Sequence, residues 1–158
     1  MRDTIRDLAV AGRLFGFGLY YGAVAAKYRH IHLRNPSGSG KQATVYVAAG
    51  TASDANGMQV TLTTGAQALT APNTPTPFNF KGGGGASGLT LETIDDATGY
   101  YGTQVFDGVN NQVAVAKQAQ HFLVPGTGTV LYLPPNSGLM LSSTSVNVAF
   151  GAQLVWSE

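Results

Sequence analysis

From Lys27 onward the chain alternates apolar and polar residues with a period of two. Tyr28, His30, His32 and Arg34 fall on one side and Ile31 and Leu33 on the other, the pattern of a strand with one buried face. Asn35-Pro-Ser-Gly-Ser-Gly40 is rich in turn formers and Thr44-Val-Tyr-Val-Ala48 supplies a second strand, so the pattern predicts a hairpin over about 28–48. Further strands are predicted at Met58–Thr63, Pro77–Phe80, Gly88–Glu92, Gly102–Phe106, Ala119–Val124, Thr129–Leu133, Leu139–Ser143 and Val146–Trp156. In the last, Val146, Val148 and Phe150 point inward, and a bend at Gly151 resets the register to Leu154 and Trp156, a tryptophan that fills the core or caps an interface. From these ten runs eight or nine strands are expected in one domain, and with no helical period after residue 14 they leave an all-β sandwich or barrel. Strands of this number and length suit a jelly roll.

The first 26 residues read differently. Ile5, Leu8 and Ala9 have helical spacing, which predicts a short helix within residues 1–14. Gly16, Gly18 and Gly22 then interleave with Phe15, Phe17, Tyr20 and Tyr21. Glycine weakens helices and strands alike, so residues 1–26 are expected to form an extended arm with aromatic anchors, followed by a β domain over 27–158. The apolar run Leu14–Ala26 has thirteen residues, too few for a membrane span of about 20. Ala23-Val24-Ala25 would suit a signal-peptide cleavage site, but three glycines weaken the apolar region before it. Lys81-Gly-Gly-Gly-Gly-Ala-Ser-Gly88 reads as a linker or loop tip.

Composition adds a constraint on the surface. A chain of 158 residues fits one domain, and 44% hydrophobic residues supply a core. Only 11% are charged, against about 25% in typical soluble proteins. The surface must therefore be neutral and polar, or covered by other proteins. The few charges are also unevenly placed. Residues 1–41 carry Arg2, Arg6, Arg13, Lys27, Arg29, Arg34 and Lys41 against Asp3 and Asp7, a net +5, and the remainder carries −4. Opposite ends of this kind suit contact between copies or docking on an acidic neighbour. Nucleic acid is the weaker reading for the basic region, whose cations are spread out and diluted by two acids. The absence of cysteine excludes disulfides and thiolate metal sites and fits synthesis in a reducing cytoplasm.

Motifs that carry chemistry are thin. Ser37-Gly-Ser-Gly-Lys41 resembles part of a phosphate loop, but Asn35 stands where the first glycine belongs, Gln42 where the hydroxyl belongs, and a strand follows in place of a helix. His30 and His32 share a strand face in the His-x-His pattern of cupin metal sites. Such a site needs a carboxylate shortly afterwards, and Arg34-Asn-Pro-Ser37 stands there, with His121 the other available histidine. The simpler expectation is two histidines on a solvated or interfacial face. Asp95-Asp96 before Ala97-Thr-Gly99 suggests an exposed loop over a glycosidase pair, and Glu92, Asp95, Asp96 and Asp107 are possible calcium ligands. No nucleophile–base constellation can be ordered from three histidines, so neither enzymatic activity nor a cofactor is expected.

Tyr28-Arg-His-Ile-His-Leu-Arg-Asn-Pro-Ser-Gly-Ser-Gly-Lys41, with Leu133-Pro-Pro-Asn-Ser-Gly-Leu-Met-Leu-Ser-Ser143 and Leu154-Val-Trp-Ser-Glu158, resembles small virion structural proteins of tailed bacteriophages and prophages, over about a fifth of the chain. The resemblance implies a jelly roll that decorates or cements a capsid, often as a homotrimer bound to the major capsid protein, or a similar tail or head-fibre module. It places the protein on the virion surface after synthesis in the bacterial cytoplasm, with no membrane partner. On that reading Phe15, Phe17, Tyr20 and Tyr21 anchor the arm to neighbours, and Arg2, Arg6 and Arg13 meet acidic capsid patches. For a fibre module, Tyr100, Tyr101 and loop Asp and Asn residues would bind a glycan.

Overall fold

A computed structural model describes residues 4–53, 57–65, 69, 72–99, 103–108, 119–123 and 128–158, with backbone alone for 103–108 and 119–121. Among these residues the chain forms one short helix and eleven strands. They are α1 (Ile5–Val10), β1 (Leu14–Tyr21), β2 (Tyr28–Asn35), β3 (Ala43–Ala52), β4 (Met58–Thr64), β5 (Phe78–Asn79), β6 (Thr90–Asp96), β7 (Thr103–Gly108), β8 (Ala119–Leu123), β9 (Leu131–Leu133), β10 (Ser137–Ser143) and β11 (Phe150–Ser157). The first sheet runs β5-β1-β11-β3-β8, with β9 also on β3, and the second runs β6-β2-β10-β4-β7. Every pairing between these strands is antiparallel.

Leaving aside the short strands β5 and β9 and the edge strand β6, the sheets read β1-β11-β3-β8 and β2-β10-β4-β7. Counted in chain order, that is first-eighth-third-sixth against second-seventh-fourth-fifth, the strand order of a jelly roll. The all-β sandwich read from the alternation is therefore the fold of the chain.

Alternation along each strand builds the core between the sheets. Phe15 and Phe17 of β1, Val45 of β3 and Phe150, Leu154 and Trp156 of β11 pack against Ile31, Leu33, Met58, Val60, Leu91, Leu139 and Leu141 of the second sheet. Trp156 is fully buried, and its ring stacks on Phe15 at 6.1 Å. Phe150, Ala152, Leu154 and Trp156 all face inward without interruption, so no bend at Gly151 is needed. The register shift falls later, between Val155 and Trp156, where the pairing with β3 skips a residue.

Two further expectations are corrected. Strands β2 and β3 form where the alternation places them, but they do not make a hairpin, because each lies in a different sheet. Residues 36–42 cross the edge of the sandwich. Buried Asn35 holds that crossing, donating from Nδ2 to the carbonyls of Lys41 (2.9 Å) and Leu133 (2.8 Å) while its Oδ1 accepts from Ser39 Oγ.

The second correction concerns the arm. Residues 14–21 are the first jelly-roll strand, paired along their whole length with β11 and at Phe15 and Gly16 with β5. The glycines do not prevent strand formation here. Gly16 leaves a slot on the outer side of the strand, and Phe78 and Phe80 fill it: an added Cβ would stand 2.5 Å from Phe78 Cζ and 2.9 Å from Phe80 Cε2. Aromatic rings thus cover the backbone that glycine exposes.

Candidate protein-docking site

The outer face of the first sheet begins at α1. Thr4 caps this helix by accepting from the Asp7 backbone N–H, while the Asp7 carboxylate accepts from Thr4 in return. These hydrogen bonds hold the Asp7 carboxyl below its ordinary value. Leu8 anchors the helix by burial, leaving Ile5 and Val10 exposed. After the helix, Arg13 is fixed to the end of β11: its Nε donates to the Glu158 carbonyl (2.6 Å), and Glu158 N–H donates to the Arg13 carbonyl (3.1 Å). Glu158 in turn accepts from Ser87 Oγ and the Gly88 N–H, which ties down the end of the glycine-rich loop. Asn79 holds the start of the same loop through Lys81 N–H and the Gly85 carbonyl.

Between α1, β3, Phe80 and the segment leading into β9 lies an open groove of about 1020 Å³. Its walls include Ile5, Leu14, Tyr46, Phe80, Val130, Tyr132 and Val155. Ile5 (52% exposed), Phe80 (45%) and Tyr132 (59%) present large apolar surfaces to solvent. Arg6 and Arg13 are the charged residues among the described lining residues, and no Asp or Glu is among them.

The expected contact residues do not lie together. Arg6 and Arg13 meet at the groove. Phe15 (4% exposed) and Phe17 (8%) are withdrawn as anchors for neighbours, because both belong to the core of their own domain. Tyr21 packs against that core and lies under the Arg29 guanidinium at 4.5 Å, whereas Tyr20 stays half-exposed near Leu19, away from the groove. Arg2, Tyr100 and Tyr101 lie outside the described residues, as do the side chains of Asp107 and His121. The sequence reading missed Ile5, Phe80 and Tyr132 as surface features. The available signal was Phe78-Asn-Phe80, an aromatic pair opposite the Gly16 slot.

The outer face of the second sheet is closed. Its outward residues His30, His32, Gln59, Thr61, Thr63, Glu92, Met140 and Ser142 are all buried, which corrects the expectation of a solvated or interfacial histidine face. His30 Nε2 donates to the Thr98 carbonyl (2.9 Å), so Nδ1 is the acceptor for Ser142 Oγ (2.6 Å). Burial pushes the His30 pKa down, against the opposing pull of the Thr98 hydrogen bond and Asp96. His32 Nδ1 donates to Glu92 Oε2 (3.1 Å), and Nε2 meets Thr63 Oγ1 (2.9 Å). Arg34 reaches the other Glu92 oxygen at 3.2 Å. The His32 hydrogen bond holds the Glu92 carboxyl low despite its burial, with Arg34 helping.

All four imidazole nitrogens thus have protein partners. Among the described residues no cluster of three His, Cys, Asp or Glu side chains is arranged to hold a metal. Thr63, His32 and Glu92 do stand in the order hydroxyl, imidazole, carboxylate that activates a nucleophile. A nucleophile needs an approach for its substrate, and Thr63 is 1% exposed. The chain of hydrogen bonds is better read as a polar layer locking β2, β4, β6 and β10 together.

Asp95 and Asp96 close β6 instead of sitting in a free loop. Asp95 lies 2.6 Å from Arg29 Nε, an ion pair off the N–H direction, and burial raises its pKa more than Arg29 lowers it. Asp96 accepts from Thr98 N–H (2.9 Å). No protein-family model, curated protein or solved structure matches the chain.

Proposed function

We propose that this protein is a non-enzymatic structural subunit of a tailed-phage virion, a capsid decoration protein that binds the major capsid protein and stabilises the shell, by resemblance as a homotrimer. One observation carries the docking part of this reading: a jelly roll with very few charges leaves an apolar groove open on one sheet while sealing the other. Isolated apolar residues on a surface are ordinary, but a contiguous groove with half-exposed Ile5, Phe80 and Tyr132 is the pattern of an interaction site. The viral setting is supported by the sequence resemblance alone. Arg6 and Arg13 keep the docking role first expected of them, now on the domain itself instead of on an arm.

The direct test is co-sedimentation of the purified protein with expanded, decoration-free shells of the cognate phage. Saturable binding that raises the shell's melting temperature is expected, and failure to bind such shells overturns the assignment. Removing residues 1–26 is uninformative as a test, because it removes β1 from the first sheet. Point variants on the groove are the proper controls.

A further inference from the structure

Building on the docking reading, we infer that the groove receives a partner segment presenting apolar side chains together with a carboxylate. The apolar part follows from the lining. Ile5, Phe80 and Tyr132 are each about half exposed, so an occupant gains by removing their surface from water. The carboxylate follows from charge. Arg6 and Arg13 are both cations, and no acid lies among the described lining residues. Arg6 is exposed on the helix, and its guanidinium can meet a carboxylate in a two-pronged geometry.

The same charges decide against other occupants. A second copy docked face to face would bring the arginines of both copies together across an apolar interface. Like charges brought together in this way weigh against association. A nucleic-acid backbone asks for several cations in a row and offers little to aliphatic walls, whereas this groove offers two arginines in a mainly apolar cleft.

The test uses the full chain and two blocked peptides of alternating leucine and glutamate or leucine and glutamine, with binding read by fluorescence anisotropy. The glutamate peptide is expected to bind at least about tenfold more tightly. Arg6→Glu should remove that preference, and Tyr132→Asp should weaken both peptides. Both positions are exposed, so an unchanged melting temperature will verify that the variants are folded. Equal affinity for the two peptides, no binding of either, or an unaltered preference in Arg6→Glu overturns the inference. So does a dimer in sedimentation that Tyr132→Asp dissolves, or tighter binding of duplex DNA than of the glutamate peptide. Shell binding separates this result from the preceding one. A protein that selects the acidic peptide but ignores shells loses the virion assignment alone, and one that binds shells with Arg6→Glu intact loses the acidic-segment inference alone.

Discussion

The two sheets present opposite solutions on their outer faces. On the first, Phe78 and Phe80 lie over Gly16 and remain about half exposed, leaving an apolar groove beside two arginines. On the second, His30, His32, Glu92, Thr63 and Ser142 are buried and joined by hydrogen bonds. Composition alone would assign these roles the other way, with the polar strands facing water and the aromatic ones in a core. A buried polar group is tolerable once its donors and acceptors are met, and an apolar ring is tolerable at a surface in small numbers. Polarity therefore does not tell which face is closed. Pairing does.

Acid should break this contrast most strongly, because it acts on several groups of the closed face together. The His30 pKa is depressed from its ordinary 6.5, so the unfolded chain takes up its proton first, and stability present above that pH is lost as pH falls below it. Glu92 is depressed from 4.5, so its contribution persists above that value and disappears as pH falls through the lower folded-state value. Asp95 acts in the opposite sense, since its raised pKa makes the native state the better proton acceptor there and partly offsets the loss. Urea unfolding across pH should thus show a plateau near neutrality and a decline starting just below 6.5. His30→Gln should abolish the upper part of that decline, and a curve unchanged in this variant would assign the effect elsewhere.

Glu92→Leu comes next. It leaves the His32 Nδ1–H and the partly exposed Arg34 without their acceptor, and a loss of about 3 kcal/mol in chemical denaturation is expected. Gly138→Ala probes the same layer sterically. The added methyl would sit 2.5 Å from Thr63 Oγ1 and closer still to His32 Nε2, both pinned by hydrogen bonds, so about 2 kcal/mol should be lost. Thr61→Val should act in the other direction. The Thr61 hydroxyl is buried without a hydrogen-bond partner, and replacing it with a methyl group should stabilise by about 1 kcal/mol.

The smallest effect is expected on the open face. Gly16→Ala creates a contact as short as that at Gly138, but against the free ends of Phe78 and Phe80. These rings can swing aside, and alanine restricts the unfolded chain, so the net change should stay within about 0.5 kcal/mol. A loss at Gly16 equal to that at Gly138, measured by the same unfolding assay, would mean that the open face is as rigidly packed as the closed one.

Several features were legible because they depend on near neighbours in the chain. The period-two pattern of Ile31-His32-Leu33 and Leu139-Met140-Leu141 places strands, and Ile5, Leu8 and Ala9 place the short helix. The burial of Trp156 follows from its place in the same alternation. Less of the candidate site was visible. Arg6 and Arg13 were picked out by charge, but Phe15 and Phe17 were misread because a glycine-rich strand is stable only where something covers its backbone, here Phe78 and Phe80 from far along the chain.

By itself, the sequence determined an all-β chain with one apolar side per strand, few charges and a basic start, since alternation and composition are properties of the chain alone. The tertiary structure decided which strands share a sheet, and so that β2 and β3 face each other across the core instead of pairing. It also decided that His32 meets Glu92 and Thr63, and that Arg6 and Arg13 border an apolar groove. These outcomes rest on contacts between residues far apart in sequence, which a two-residue period leaves undetermined and close packing selects.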